Sequence, residues 1–138
     1  LNNRPTSSQT EDALRAYLAA QGYTLSQRLS NGFTGVDILA TRGNEQIYVE
    51  VIGHKGNASH RSRVFFESFF RAVSRQPQQD DRIVAIAMPS KSAESVPRRA
   101  RVCGTAWNSI GNAFKNLEIW AVKVSDGSFT RKKWNEWK

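Results

Sequence analysis

The sequence has a single cysteine, Cys103, so it can build neither an internal disulfide framework nor a cysteine-rich zinc site. It has no apolar run approaching the roughly 20 residues of a membrane helix. No internal repeat or low-complexity block is present, and the spacings of a P-loop, a zinc finger and a serine-nucleophile motif are all missing. Acids are scarce as well, with twelve Asp and Glu against twenty Lys and Arg. A disulfide-stapled scaffold and a helical membrane protein are therefore not expected. The lone thiol suits a reducing, cytoplasmic setting.

What is present suits one globular domain. The chain has 138 residues, of which 39% are hydrophobic and 23% charged, enough apolar material for one core. The first nine residues, LNNRPTSSQ, are polar and read as a flexible lead-in, not as a signal peptide, leaving residues 10–138 as the domain. The charge is lopsided. Residues 1–55 carry five basic and five acidic side chains, whereas residues 56–138 carry fifteen and seven, so the whole net charge of +8 lies in the second part. A neutral front and a cationic back point to a polyanionic partner, and a basic protein with no such partner is the plainer alternative.

Periodicity predicts the elements. Over 10–21, Leu14, Tyr17 and Leu18 form one apolar stripe, with Thr10 as cap, Glu11 and Asp12 in the first turn, and Gly22 at the exit. A strand is expected at about 23–29, a turn at 30–32, and a short apolar strand at 36–41 interrupted by Asp37. A hairpin turn follows at 42–45, then a β-branched strand at 46–52. Alternation in that strand sets Ile47, Val49 and Val51 against Tyr48, Glu50 and Ile52. Residues 61–75 read as a phenylalanine-rich helix and 82–88 as a fully buried strand closed by Pro89. A helix from Pro97 to about 113 should break near Gly104, and 117–124 should form a last strand before a basic, aromatic tail. The order implies an α/β or mixed α+β domain, with a central mixed sheet flanked by helices.

Two acids stand where structure alone would not place them. Asp37 opens one strand and Glu50 lies among apolar neighbours in the next, where a charge is costly unless compensated. Across a hairpin they can face each other, and two adjacent carboxylates repel unless a cation neutralises them. A hard ion such as Mg²⁺ takes oxygen ligands of this kind and can activate water for phosphoryl chemistry. Glu11 is a third oxygen donor that could approach. Plainer readings stay open: Asp37 capping a turn after Gly35, Glu50 paired with an arginine of the 61–75 helix, and Glu11 as a first-turn acid.

These residues resemble the PD-(D/E)xK, or restriction-endonuclease-like, nucleases, a set that includes archaeal Holliday-junction resolvases. Glu11 followed by Leu14, Leu18, Gly22 and Tyr23 is similar to the resolvase-type first helix. Gly35-Val36-Asp37-Ile38 is similar to the aspartate motif, with Val36 in place of proline, and Tyr48-Val49-Glu50-Val51 to the strand of the second acid. The resemblance spans about residues 7–124. It implies a restriction-endonuclease-like fold and Mg²⁺- or Mn²⁺-dependent hydrolysis of DNA, with Asp37 and Glu50 as metal ligands and Glu11 assisting. It also implies a possible homodimer. The chain departs from the family where a lysine should follow the glutamate by two residues, because Ile52 stands there. His54, Lys55, Arg63 and Arg71 are the substitutes within reach, and Lys55 is taken as the catalytic stand-in. A catalytically silent relative that only binds nucleic acid is the alternative.

Candidate phosphate contacts are Arg63 and Arg71 on the phenylalanine-rich helix, Arg98, Arg99 and Arg101 at the next helix start, and Arg131, Lys132 and Lys133 in the tail. Trp134 and Trp137 suit either base stacking or burial, with packing favoured. Trp107, Trp120 and Cys103 read as core.

Overall fold

The computed structural model describes residues 4–29, 37–75 and 82–137. Helix α1 runs Ser7–Ala20, and three strands follow: β1 Thr24–Leu25, β2 Ile38–Arg42 and β3 Glu45–Val51. Helix α2 spans Ala58–Ser74 and leads to β4, Ile83–Pro89. Three short helices come next, α3 Ser90–Ala93, α4 Val96–Cys103 and α5 Thr105–Ala113. Strands β5, Leu117–Val122, and β6, Phe129–Lys133, precede a final 3₁₀ turn at Trp134–Glu136.

The six strands form one sheet in the order β1-β2-β3-β4-β5-β6. Pairing is antiparallel from β1 to β3, parallel from β3 to β5 and antiparallel again at β6. The domain is therefore mixed α/β, as expected. Parallel neighbours need crossover connections, and α2 and the α3–α5 run supply them. No helix among the described residues is long and apolar enough to cross a membrane.

Alternation along the central strands divides the core in two. Ile47, Val49 and Val51 of β3, with Ala85 and Ala87 of β4, pack under Leu14 and Leu18 of α1. On the other face, Val84, Ile86 and Met88 meet Phe65 and Phe69 of α2 and Trp107 of α5. Strand β4 is covered on both sides, so it reads as a continuous apolar run. Ile52 belongs to this second core and is 6% exposed.

Several boundaries differ from expectation. Helix α1 starts at Ser7 because Thr6 caps it, in a reciprocal box with Gln9 at 2.9 and 3.0 Å, and not at Thr10. Thr10 instead donates its hydroxyl back to Thr6 O and is fully buried. Residues 7–9 of the expected lead-in are therefore the start of α1. Only Thr24 and Leu25 of the expected 23–29 strand pair in the sheet, and the turn at 30–32 lies outside the described residues. The break at Gly104 is found, with φ +59 separating α4 from α5. The tail adds a strand, and its tryptophans are core. Trp134 and Trp107 stack at 3.9 Å, and each indole N–H donates to the other's carbonyl, at 3.0 and 2.9 Å. Trp137 donates to Ile119 O at 3.2 Å. Base stacking is thereby closed to both.

Candidate active site

The β2–β3 hairpin sets the two acids. Its register pairs Ile38 with Val49, so one further step brings Asp37 opposite Glu50. Directly opposed residues share a face. That face is the α2 side, because Ile38 and Val49 point toward α1. One Asp37 oxygen, Oδ2, accepts from Val51 N at 2.7 Å, which holds its carboxylate across the strand end.

Glu50 is 3% exposed, and its Oε1 has no hydrogen-bond partner. The nearest cation, Arg75 Nε at the end of α2, stands 3.6 Å away. That is an ion pair but too long for a hydrogen bond, and Arg75 Nε is itself buried without an acceptor. Burial, and then the neighbouring Asp37 charge, push the Glu50 carboxyl from 4.5 up to about 7, against the opposing pull of Arg75 and Arg71. Two carboxylates thus meet on one rung, one of them short of partners. The arrangement favours a proton or an added cation.

Glu11 does not join them. It is buried on α1, where Arg15 Nε donates to it at 2.6 Å and Arg28 lies 3.4 Å away. Arg15 also donates to Ser26 O at 2.6 Å and to the Asp37 carbonyl at 2.8 Å. Glu11 therefore reaches Asp37 through Arg15 and through its backbone, not its carboxylate. Nor is Glu11 a first-turn acid, because α1 begins a turn earlier. Among the described residues no group of three or more His, Cys, Asp or Glu is placed to hold a metal ion. Arg15 was not singled out in the sequence; the only signal was its spacing four residues after Glu11.

Among the described residues Lys55 makes no ion pair with Asp37 or Glu50. Strand β3 ends at Val51, although Ile52 N still donates to Ala87 O at 2.9 Å. The loop then turns toward α1, where His54 N donates to Pro5 O at 2.8 Å. A Cβ on Gly53 would come within 2.5 Å of Ser7 N, so only glycine allows this close crossing. His54 Nδ1 lies 2.8 Å from Ser92 Oγ, and the Lys55 carbonyl accepts from Arg61 at 2.8 Å. The cations acting most strongly on Glu50 are Arg75 and Arg71. The plainer reading of Glu50, paired with an arginine of the 61–75 helix, is the one found, with Arg75 as the arginine because α2 crosses above the carboxylate.

The expected phosphate contacts fall into three groups. Arg63 and Arg71 lie 3.9 and 3.5 Å from Glu67 on the exposed face of α2. Arg98 and Arg99 border a cleft between α2 and α4, while Arg101 lies exposed on α4. Lys132 and Lys133 are exposed on β6, with the Lys132 ammonium 5.0 Å from the Trp137 ring. Arg131 is committed elsewhere, to Glu118 at 2.9 and 3.2 Å and Glu45 at 3.6 Å. Cys103 is half-buried at a cleft wall, more open than a core residue.

No family model matches the chain, and neither a curated protein nor a solved structure does.

Proposed function

We propose that this domain is a restriction-endonuclease-like nuclease that hydrolyses DNA phosphodiesters with a divalent ion held by Asp37 and Glu50. The observation that carries this reading is Glu50 Oε1, buried opposite Asp37 with no hydrogen bond and only a 3.6 Å ion pair to Arg75. A buried carboxylate only partly compensated by a long ion pair costs stability, and a site that binds a hard cation gives that cost a purpose. The donor set fits Mg²⁺ or Mn²⁺: it is all oxygen, and such ions fill the remaining positions with water. Asp37 Oδ2 is engaged by Val51 N, which leaves its second oxygen and Glu50 Oε1 as the donors.

When bound, the ion would lower the pKa of a water and neutralise phosphate charge. The chain's own residues do the rest. Asp37 and Glu50 present fixed oxygens from paired strands, and Arg75 and Arg71 face the phosphate from α2. Arginine stays protonated, so these two hold charge and do not remove a proton. Glu11 acts at a distance, positioning Asp37 through Arg15.

A second reading is a silent nucleic-acid-binding relative, and a specific observation favours it. Arg75 at 3.6 Å already balances Glu50 in part, and Ile52 is buried in the core where the family has its lysine. The deciding experiment is nicking of supercoiled plasmid with Mg²⁺ or Mn²⁺, compared with Asp37→Ala and Glu50→Ala. Metal-dependent cutting lost in both variants supports the nuclease. A folded protein that shifts the plasmid without cutting it supports the silent binder. Light scattering on the same samples tests the homodimer expected of an enzyme that cuts both strands.

A further inference from the structure

Two clefts adjoin at α4, one between it and α2 and the other between it, α3 and the loop that leads into α2, and neither is lined by Asp37 or Glu50. One, of about 410 Å³, is walled by Phe66, Val102 and Arg99. The other, of about 550 Å³, is walled by Arg4, His54, Arg61, Lys91 and Arg98, with Glu94 as the acid among them. Arg61, Ser95 and Arg98 border both, so the apolar space and the cationic space adjoin.

The apolar wall is set in place and open. Phe66 is 41% exposed and Val102 80% exposed. Arg99 donates to Ser62 Oγ at 2.9 Å, with its guanidinium 5.1 Å from the Phe65 ring and 5.9 Å from Phe66. An exposed ring beside a fixed guanidinium makes a surface on which a flat aromatic ligand stacks. The cationic wall is crowded. The pKa of His54 there is lowered first by burial and then by the charges of Arg61, Lys91 and Arg4. An anion seated there gains charge-assisted contacts from Arg61 and Arg98.

We propose that these clefts together accept one unpaired nucleotide of a nucleic-acid strand, its base against Phe66 and its phosphate on Arg61 and Arg98. The inference rests on the nucleic-acid reading above and adds the form of the substrate. A base inside a duplex has both faces covered by its neighbours and cannot present one to Phe66, so the ligand is single-stranded, frayed or flipped out. Phe66 lies nine residues before Arg75 on α2, about 13 Å along the helix axis. Nine residues are about two and a half turns, so the two side chains leave opposite sides of the helix and the pocket is a subsite separate from the carboxylate pair.

The test is fluorescence anisotropy in EDTA, so that binding is read without cleavage. The probes are a labelled single strand, its blunt duplex and an abasic strand of equal length. The wild type should bind the natural strand about tenfold more tightly than the abasic one. Phe66→Leu and, separately, Val102→Glu should remove that difference. Phe66→Leu should leave abasic affinity unchanged, and Arg61→Ala with Arg98→Ala should weaken both. Equal binding of natural and abasic strands by the wild type overturns the pocket, as does a base preference that survives both wall variants. In those cases the polyanion reading still stands. Binding to none of the three probes overturns both. Displacement of the strand by an equal concentration of free nucleoside monophosphate assigns a mononucleotide ligand and overturns the strand.

Discussion

Replacing Glu50 by glutamine should stabilise the domain above neutral pH while removing its metal site. The folded carboxyl titrates at about 7 and the unfolded one at 4.5. At about 1.4 kcal/mol per pH unit of difference, ionised Glu50 costs on the order of 3 kcal/mol above pH 7. The folded state holds the proton more tightly, so this group's contribution is fully favourable below 4.5. It declines as pH rises from there and is lost once pH passes about 7. The glutamine amide carries no charge to desolvate and can present its Oε1 to Arg75. Urea unfolding from about pH 4.5 to 8.5 should show both proteins equal at the acid end, with the variant about 2–3 kcal/mol ahead at the basic end. Saturating Mg²⁺, at about 100 times its dissociation constant, should add about 2.7 kcal/mol to the wild type and nothing to the variant. A difference between the two proteins that does not change with pH would refute the burial argument. A variant less stable than wild type at pH 8 would refute it equally.

Asp37→Asn should lower the Glu50 midpoint below about 7, because the Asp37 charge raises it; the stability–pH curve of the variant checks this, and its Mg²⁺ response should vanish. Ile52→Lys, which restores the residue type of the resembled family, should destabilise by about 3 kcal/mol and produce no gain in plasmid cutting. Ile52 packs in the core with Phe65 and Met88, so unfolding and nicking assays together test the point. Arg131→Ala should cost about 2 kcal/mol in urea unfolding, because it removes the cation from the buried Glu118 carboxylate and leaves it the Trp120 indole N–H. Adding Glu118→Gln should recover most of that loss.

Much of the architecture was legible in the chain. The alternation of Ile47, Val49 and Val51 against Tyr48, Glu50 and Ile52 is the alternation found between the two cores. The continuous apolar run at 82–88 is a strand covered on both faces, and Gly104 breaks a helix where expected. Trp107 and Trp120 are core. The errors fell at edges. Thr6 competed with Thr10 as cap, and the stronger reciprocal pair with Gln9 won. Strand β6 carries Arg131, Lys132 and Lys133, an edge composition that hides its pairing in the charge of a tail.

The sequence by itself determined the layered α/β class, the opposition of Asp37 and Glu50 across a hairpin, the lack of a lysine after Glu50, and the cationic second part. All of these follow from local periodicity, turn chemistry and composition, which act over a few residues. Only the tertiary structure decided which charges meet. It turned Glu11 toward Arg15 and Arg28, chose Arg75 among the arginines of the 61–75 helix as the partner of Glu50, and tied Arg131 to Glu118. It also gathered Arg61, Arg98 and Phe66 from two helices around adjoining clefts. Ion pairs and clefts form between elements distant in the chain, and their partners are chosen by how helices cross a sheet, a quantity that no spacing along the sequence encodes.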